Sequence, residues 1–291
     1  MQFLVFILVY PFLWFISILP FRILYLISDG VYVLLYYVIG YRKKVVDHNL
    51  KLVFPNKSEL ERKLIRKRFY HHLCDMFLEM IKTLSISKKE LDERFKILNI
   101  EELKRLESLN KSIILMYGHY ASWEWSIAIQ NYIKFSGYGV YKKLANKYFD
   151  KLVRDIRSKF NTSLISTKEI PYVIHNNERK GIKSLTAFIS DQSPRLTKDV
   201  YWSNFMGIKV PTFIGAERLA KKLDFTIAYL KVNKVKRGFY EAEIIVLAEN
   251  PKTFKDYQLT EAFNREVEKQ IYNAPEYYFW THKRWKHAKN S

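Results

Sequence analysis

The chain has 291 residues, of which 48% are hydrophobic and 16% aromatic, and this excludes a disordered or low-complexity protein. Its formal net charge of +20 predicts an anionic partner, which is nucleic acid, an anionic membrane surface, or an acidic small molecule or protein. The single cysteine, Cys74, excludes an internal disulfide framework and a cysteine-rich metal site, and we interpret it as a packing residue.

The first forty or so residues are predicted to anchor the chain in a membrane. Met1 to Leu19 contains no charged residue and is long enough to span a bilayer, with Pro11 as a tolerated kink. A cleaved signal peptide is disfavoured, because a basic start and a small-residue cleavage site are both missing. The apolar stretch Ile23 to Ile39 is the rest of one tilted span, a second span, or a helix at the interface. A buried core helix is the alternative for both segments.

A basic cluster follows the apolar segments and predicts their orientation. Arg42, Lys43 and Lys44 come directly after Ile39. Because positively charged residues flank membrane segments on the cytoplasmic side, we expect the rest of the chain to be cytoplasmic.

Residues 41–94 are predicted to be helical and amphipathic. A first helix ends at Phe54–Pro55, and Ser58 with Glu61 forms a capping box that starts a long helix ending near Leu84. The basic side of this helix suits phospholipid head groups. Its predicted apolar face consists of Leu60, Leu64, Ile65, Phe69, Leu73, Phe77, Met80 and Leu84. A further polar set, which we interpret as a satisfied polar face rather than a metal site, consists of His71, His72, Asp75 and Glu79.

From Phe95 onward, strand-like and helix-like segments alternate, which predicts an α/β fold with a mostly parallel central sheet flanked by helices. The expected strands are Ser112 to Tyr117, Tyr138 to Lys142, Ser163 to Ile165, Ser184 to Ser190, Phe225 to Val232 and Phe239 to Leu247, the last two joined as a hairpin. The expected helices are Ala121 to Gln130, Asn146 to Phe160, Ile170 to Arg179, Gly215 to Leu223 and Thr260 to Tyr272.

The junction after the strand Ser112 to Tyr117 contains a candidate general base. Gly118 permits a sharp turn, and if His119 lies in that turn, the carboxylate of Glu124 can reach one imidazole nitrogen and leave the other facing outward. The start of the following helix offers unpaired N–H groups to a developing negative charge. The alternative is a surface histidine with an incidental carboxylate nearby.

A second candidate segment follows the strand Ser184 to Ser190 and reads Asp191-Gln192-Ser193-Pro194-Arg195. In open α/β sheets ligands bind beyond the carboxyl ends of the strands, so we expect His119 and Asp191 to share one cleft. The loop after it is equally compatible with lipid contact and with core packing, and it holds Tyr201, Trp202, Phe205 and Met206.

The chain end interleaves aromatic and basic residues. Pro275 to Lys286 reads PEYYFWTHKRWK, a pattern typical of a membrane interface. The same pattern can stack single-stranded nucleic acid, and the segment alone does not separate the two.

Several of these stretches together resemble the bacterial lipid A late acyltransferases, a branch of the lysophospholipid acyltransferase superfamily. The resemblance extends from about Tyr41 to Lys286. YRKKVVDHNLKLVFP and the helix after it resemble the family's N-terminal helical region, and PEYYFWTHKRWK resembles its C-terminal ending. GHYASWE resembles the family's histidine-x4-acid signature, which implies catalytic positions for His119 and Glu124.

Two further stretches extend the resemblance to substrate-binding positions. NKYFDKLVRDIRSKF resembles the segment that carries a functional arginine, here Arg157. SDQSPR resembles the family's Asp-Gln element, here Asp191 and Gln192, although the residues after it depart from the commonest form. Arg195 lies in the same element and is predicted to contact substrate.

The resemblance implies a glycerolipid-acyltransferase-like fold with a membrane anchor over residues 1–40 and an acyltransferase domain over 41–291. Within that domain, 41–94 are the helical lead-in and 95–291 the catalytic core with its basic aromatic tail. It implies transfer of a fatty acyl group from acyl-acyl carrier protein to a hydroxyl of a lipid A precursor, at the cytoplasmic face of the bacterial inner membrane. No cofactor and no metal are expected, and the implied partners are acyl carrier protein, the lipid acceptor and the anionic membrane surface, without nucleic acid.

In the resulting hypothesis, His119 removes the hydroxyl proton while Glu124 orients His119 and stabilises the imidazolium ion. Arg157 with backbone N–H groups stabilises the oxyanion, and Arg157 and Arg195 pair with acceptor phosphates. Acyl transfer to a lysophospholipid or an amino-acid-containing lipid is the nearest alternative. A membrane-tethered basic protein that binds nucleic acid is a remote one, and a soluble hydrolase is disfavoured because a Gly-x-Ser-x-Gly elbow is missing.

Overall fold

A computed structural model of the chain describes residues 2–288. Met1 of the predicted anchor and residues 289–291 of the predicted acyltransferase domain lie outside the described residues. The architecture is a seven-stranded, mostly parallel sheet flanked by helices, which confirms the predicted α/β class.

The strand order of the main sheet is β1-β9-β8-β2-β5-β3-β4, and β2, β3, β4, β5 and β8 all run parallel. β9 is antiparallel to β8, as expected for a hairpin, and β1 is parallel to β9. The central strand β2 is buried on both faces, which explains its continuous run of apolar residues. The bounds are β1 Phe95–Ile97, β2 Ile113–Tyr117, β3 Ser136–Tyr141, β4 Thr162–Ser166, β5 Ser184–Ile189, β8 Thr226–Lys236 and β9 Phe239–Ala248, with β6 Tyr201–Phe205 and β7 Ile208–Thr212 as a separate antiparallel hairpin.

The α-helices reproduce most of the predicted helices with small differences at their ends. They are α1 Gln2–Ile18, α2 Phe21–Val33, α3 Lys43–Val53, α4 Glu59–Lys82, α5 Lys88–Arg94, α6 Ile100–Ser108, α7 Lys147–Ser158, α8 Ile170–Arg179, α9 Gly215–Leu223 and α10 Gln258–Asn273. A π-helical turn, Leu34–Ile39, continues α2. The segment predicted as a helix from Ala121 is instead a 3₁₀-helix over Trp123–Tyr132.

Two apolar helices begin the chain where the membrane anchor was predicted. Within residues 2–288, the helical stretch Phe21–Ile39 is long and apolar enough to cross a bilayer, whereas α1 is shorter. Both helices expose much of their apolar surface, so neither is the fully buried core helix that was the alternative.

The loop predicted between Asp191 and α9 contains the hairpin β6–β7. Phe205 and Met206 are buried, so for these two residues core packing, rather than lipid contact, is observed. The antiparallel pairing of Tyr201–Phe205 with Ile208–Thr212 was missed in the sequence, because its residues do not alternate cleanly between apolar and polar.

Helix α4 begins with the predicted capping box, but its buried face differs from the prediction. The Ser58 hydroxyl accepts a hydrogen bond from the Glu61 backbone N–H, and the Glu61 carboxylate accepts one from the Ser58 N–H. Of the predicted apolar face, Ile65, Phe69 and Leu73 are buried, whereas Leu60, Leu64 and Phe77 are exposed. The buried surface is wider and rotated, since α4 packs against α1, α2 and the chain end together, and it includes Tyr70, Cys74 and Leu78.

A buried polar interface joins α2, α4 and the β8–β9 hairpin. Asp75, on α4, accepts hydrogen bonds from the Ser28 hydroxyl at 2.7 Å and from the Arg237 guanidinium at 2.7 and 3.0 Å. Glu79 accepts from the hydroxyls of Tyr25 and Tyr240, both at 2.8 Å. Of the predicted polar set, Asp75 and Glu79 are therefore satisfied, but inside the protein, whereas the buried His72 Nε2 has no hydrogen-bond partner among residues 2–288.

We expect Asp75→Asn to lower the free energy of unfolding by about 3–5 kcal/mol, because it removes one partner of a buried ion pair and leaves cations uncompensated. Asp47→Asn is the matched control, since Asp47 pairs with Arg66 but is half exposed, and it should cost no more than about 1 kcal/mol. Denaturant unfolding of the detergent-solubilised protein, followed by tryptophan fluorescence, measures both. Equal losses in the two variants would contradict the importance of the buried interface.

Candidate active site

The pairing of β2 with β5 brings the two candidate segments together. These strands are adjacent and parallel, and Tyr117 lies opposite Ile189 at their carboxyl ends. His119 and Asp191 each follow two residues later, so both project from the same edge of the sheet. The His119 Nδ1 and Asp191 Oδ1 atoms are 2.7 Å apart. The predicted proximity of His119 and Asp191 is therefore observed.

The second ring nitrogen of His119 faces Gln192. The Gln192 Nε2 and His119 Nε2 atoms are 3.2 Å apart. Because an ionised carboxylate only accepts hydrogen bonds, Nδ1 carries the proton donated to Asp191, and the Nε2 lone pair accepts from the Gln192 amide. The His119 side chain is 20% exposed, so part of the ring reaches solvent.

Asp191 remains ionised although it is buried. Burial alone raises the pKa of a carboxyl, but the charge and hydrogen bond of His119, together with backbone N–H groups, hold the pKa of Asp191 below its ordinary value. A fully buried carboxylate next to a partly exposed imidazole is the arrangement that fixes the histidine tautomer and supports a positive ring.

The predicted contact between Glu124 and the imidazole is wrong. Glu124 instead forms a two-pronged ion pair with Arg157, in which Arg157 Nε donates to Glu124 Oε2 at 2.8 Å and Nη2 donates to Oε1. The turn after His119 places Ala121 at a φ of 49°, and the following 3₁₀-helix directs Glu124 toward α7. The side chain that reaches the His119 ring is Trp123, with ring centroids 5.3 Å apart.

Glu124 is charged in this position. Burial raises the pKa of Glu124, but the Arg157 charge and hydrogen bonds, the Trp123 indole N–H and the nearby His119 together bring it below the ordinary value. The Glu124–Arg157 pair therefore places a negative and a positive charge beside the histidine without touching it.

An apolar cavity lies between the sheet and the 3₁₀-helix, next to this ion pair. Alternate residues of β2, β4 and β5 line it, as expected for one face of a sheet, together with consecutive residues of β3. Gly137 and Gly139 let neighbouring side chains pack closely over β3, because a Cβ at Gly137 would overlap the Gln130 side-chain amide and a Cβ at Gly139 would lie 2.8 Å from a Leu164 methyl group. Trp123 separates the cavity from His119. Its walls include Leu115, Trp123, Glu124, Ile127, Gly139, Arg157, Leu164, Ala187 and Ile189.

The C-terminal segment closes over the histidine and does not form the predicted membrane or nucleic-acid surface. The Phe279 ring stacks on the His119 ring at 5.8 Å, and the Phe279 N–H donates to the His119 carbonyl. Tyr278, Trp280 and Trp285 are buried. The aromatic residues of this segment therefore belong to the core, and only part of its basic residues, including Lys283, remain exposed.

His282 and Arg284 hold the loop that carries Asp191, and their contacts were not visible in the sequence. The Ser193 N–H donates to His282 Nε2 at 3.4 Å, and the Ser193 hydroxyl donates to the Arg284 carbonyl. The buried Arg284 side chain donates to the Pro211 carbonyl at 2.8 Å. The resemblance in the C-terminal stretch was the available signal for these residues. Arg195, by contrast, is exposed on the loop.

Comparisons with known proteins match the chain to one family over almost its whole length. The family model described as bacterial lipid A biosynthesis acyltransferase matches residues 1–287. The lipid A biosynthesis lauroyltransferase of Escherichia coli is 26% identical over 275 residues, covering 94% of this chain and 89% of the relative. The lipid A biosynthesis acyltransferase of Haemophilus influenzae is 24% identical over 242 residues, covering 80% and 72%.

We expect the folded protein to lose stability as the pH falls from about 6.5 toward 4. Burial lowers the pKa of His282 to about 4, so in this window the unfolded chain binds a proton that the folded chain does not. Burial also lowers the pKa of His72, and this shift likewise makes the folded protein less stable as the pH falls. His282→Gln keeps a hydrogen-bond acceptor, removes this titration and should make the decline shallower.

Chemical unfolding measured between pH 4.5 and 8 tests this expectation about the histidines. Above about pH 7.5 both imidazoles are neutral in the folded and in the unfolded state. The difference in unfolding free energy between wild type and variant should therefore not change with pH in this range, which serves as the control. Identical slopes for wild type and His282→Gln in the acidic window would contradict it.

Proposed function

Because the chain belongs to the bacterial lipid A biosynthesis acyltransferase family, we propose that it transfers a fatty acyl group from acyl-acyl carrier protein to a hydroxyl of a lipid A precursor. The observation that carries the proposal is the His119–Asp191 pair, which is linked to an apolar cavity through Trp123, whose ring contacts His119 and lines the cavity. The names of the relatives from Escherichia coli and Haemophilus influenzae support the lipid A acceptor.

His119 acts as the general base in this proposal. Its Nε2 removes the proton of the acceptor hydroxyl while that oxygen attacks the thioester carbonyl carbon, and Gln192 moves aside to admit the hydroxyl. The carbon–sulfur bond then breaks, and the imidazolium returns the proton to the departing thiolate. Asp191 is a positioning residue, which holds Nδ1–H and stabilises the imidazolium ion.

Glu124 and Arg157 serve the same reaction through charge. Arg157 uses Nε and Nη2 for Glu124, so its guanidinium stays fixed at the wall of the cavity with its positive charge toward the site. There it stabilises the oxyanion, together with the displaced Gln192 amide. Because Arg157 is engaged by Glu124, exposed cations are better suited to bind the acceptor phosphates. Arg195 and Lys283, which lie in the two segments that contact His119, are both exposed.

The apolar cavity, which has a volume of about 60 Å³ in this structure, widens to receive the acyl chain. Its walls are aliphatic side chains of the sheet and the 3₁₀-helix, and the charged pair at its edge matches the polar end of a thioester. No cofactor takes part in the proposed reaction. An acidic acyl carrier protein would be attracted to this chain, whose net charge is +20.

We propose that the reaction takes place at the cytoplasmic face of the bacterial inner membrane, whose anionic surface is the remaining partner. Another lysolipid or an amino-acid-containing lipid is the alternative acceptor, and the same geometry would serve it. Binding of nucleic acid is disfavoured, because the tail aromatics that could stack bases are buried.

His119→Ala should lower the acyl-transfer rate by about 10²- to 10⁴-fold, since a general base contributes that much. Asp191→Asn should lower the rate and also alter its pH dependence, because an amide does not hold the same tautomer. The assay uses purified protein, acyl-carrier-protein thioesters and an underacylated lipid A precursor. Asp199→Asn, an exposed carboxylate on the same loop, is the control and should retain activity. Near-normal transfer by His119→Ala would refute the mechanism.

Ala187→Leu should shift the preference toward shorter acyl chains, because the larger side chain fills part of the cavity wall. Competition among acyl-carrier-protein thioesters of graded length measures the preference. Ala262→Leu, on α10 and outside this cavity, is the matched control. If the two variants keep the same preference as wild type, the cavity is not the acyl site.

A further inference from the structure

The start of the chain presents a continuous apolar surface on one side only. On α2 and its π-helical extension, the outward residues include Ile23, Leu26, Val33, Leu34 and Val38, all exposed. The opposite side of the same helix carries Phe21, Leu24, Ser28 and Tyr36, all buried. Exposed cations stand near both ends of the stretch, Arg22 at its start and Arg42 after its end. The surface formed by the outward residues of α1, α2 and the π-helix is called the apolar face below.

Helix α2 lies antiparallel to α4 along most of its length. Tyr25 contacts Glu79, Ser28 contacts Asp75, and the Tyr32 ring meets the His71 ring at 5.3 Å. Farther along, the Tyr36 hydroxyl accepts a hydrogen bond from Arg66 Nε at 3.1 Å. As the residue number rises along α2, the number of its contact partner on α4 falls. The two helices therefore run side by side in opposite directions, with their axes aligned.

This arrangement conflicts with a path of α2 across the bilayer. Asp29 lies near the middle of the apolar stretch Phe21–Ile39, is half exposed, and pairs with Arg237 and with His71 Nε2 at 2.9 Å. If α2 ran perpendicular to the membrane, this cluster would lie at the bilayer centre. Charged side chains at the bilayer centre are strongly unfavourable and are rare in membrane-spanning segments. Because α4 runs alongside α2, the ionisable residues of α4 would also lie at similar depths in the bilayer.

The beginning of α1 also lies against the catalytic domain. The Phe3 and Phe6 rings contact the Tyr148 ring of α7 at 5.1 and 5.6 Å, and Phe6 also contacts Phe149 at 5.6 Å. A single span would place the start of α1 on the membrane side opposite the domain. The contacts with α7 place it on the same side.

We propose that α1, α2 and the π-helix lie in the plane of the membrane and insert the apolar face into one leaflet, without crossing the bilayer. The occupant of the apolar face is the head-group and upper acyl layer of an anionic bilayer, since the apolar residues meet hydrocarbon while Arg22 and Arg42 meet lipid phosphates. The inference rests on the proposed action at a membrane. It adds that α7, which carries Arg157, lies directly beside the inserted helices, so the acceptor is reached from within one leaflet.

Depth measurements along α2 test the orientation. The full-length protein in a Cys74→Ala background receives a single spin label at Ile23→Cys, Gly30→Cys or Val38→Cys and is reconstituted into vesicles of phosphatidylethanolamine and phosphatidylglycerol. All three positions are exposed, and a Cβ at Gly30 meets nothing within 4 Å. Collision with oxygen and with a water-soluble nickel complex should report a similar, shallow depth for all three labels.

A spanning helix gives a different pattern. At a rise of about 1.5 Å per residue, positions 23 and 38 would lie about 22 Å apart along the membrane normal, with position 30 deepest. A depth profile of that form would overturn the proposal. Labels that remain as accessible to the nickel complex as Lys180→Cys, an exposed position on the catalytic domain, would overturn it as well.

Sidedness supplies an independent readout. In vesicles where Lys180→Cys is labelled from outside by an impermeant maleimide, Gln2→Cys should be labelled from outside too, because both lie on one side of the bilayer. Protection of Gln2→Cys until the vesicles are lysed would contradict the proposal. Acyl transfer is assayed in the same vesicles, so uniform shallow depth without any transfer would refute the proposed function and leave the in-plane insertion standing.

Discussion

The parallel pairing of β2 with β5 is the constraint on which the site depends. A shift of one residue between these strands would turn every side chain to the opposite face and separate His119 from Asp191. The register is enforced by burial, since all residues of β2 lie in the core and any shift would expose apolar side chains or leave backbone groups unpaired. The hydrogen bond between imidazole and carboxylate is therefore a consequence of core packing, because the packed sheet fixes the positions of both residues.

A second constraint is that the buried carboxylates around the site and at α4 each face a hydrogen-bond donor. Asp191 has His119, Glu124 has Arg157, and Asp75 has Arg237. A buried charge without such a partner costs several kcal/mol, so these pairs determine which elements can lie against one another. The same rule links helix α2 to the catalytic domain, because the polar contacts of α2 are made with α4 and the β8–β9 hairpin.

The C-terminal segment shows why composition alone misleads. Alternating aromatic and basic residues are typical of membrane interfaces, yet here Trp280 and Arg284 are buried and brace the loops around His119. An aromatic residue has the same sequence pattern whether it faces lipid, a base or the core, and long-range contacts decide between them. Likewise, nothing in the spacing of Glu124 from His119 showed that an arginine more than thirty residues away would take the carboxylate.

The sequence by itself determined the fold class, most strands and helices, the capping box of α4 and the location of His119 and Asp191 at strand ends, because these follow from local periodicity and from the rule that parallel strands end at one edge. Only the tertiary structure decided which carboxylate meets the imidazole, which side of α4 is buried, and how the apolar helices at the start of the chain lie against the domain. Those outcomes depend on contacts between residues far apart in the chain, where the packing of side chains and the pairing of buried charges select one arrangement among many with the same local pattern.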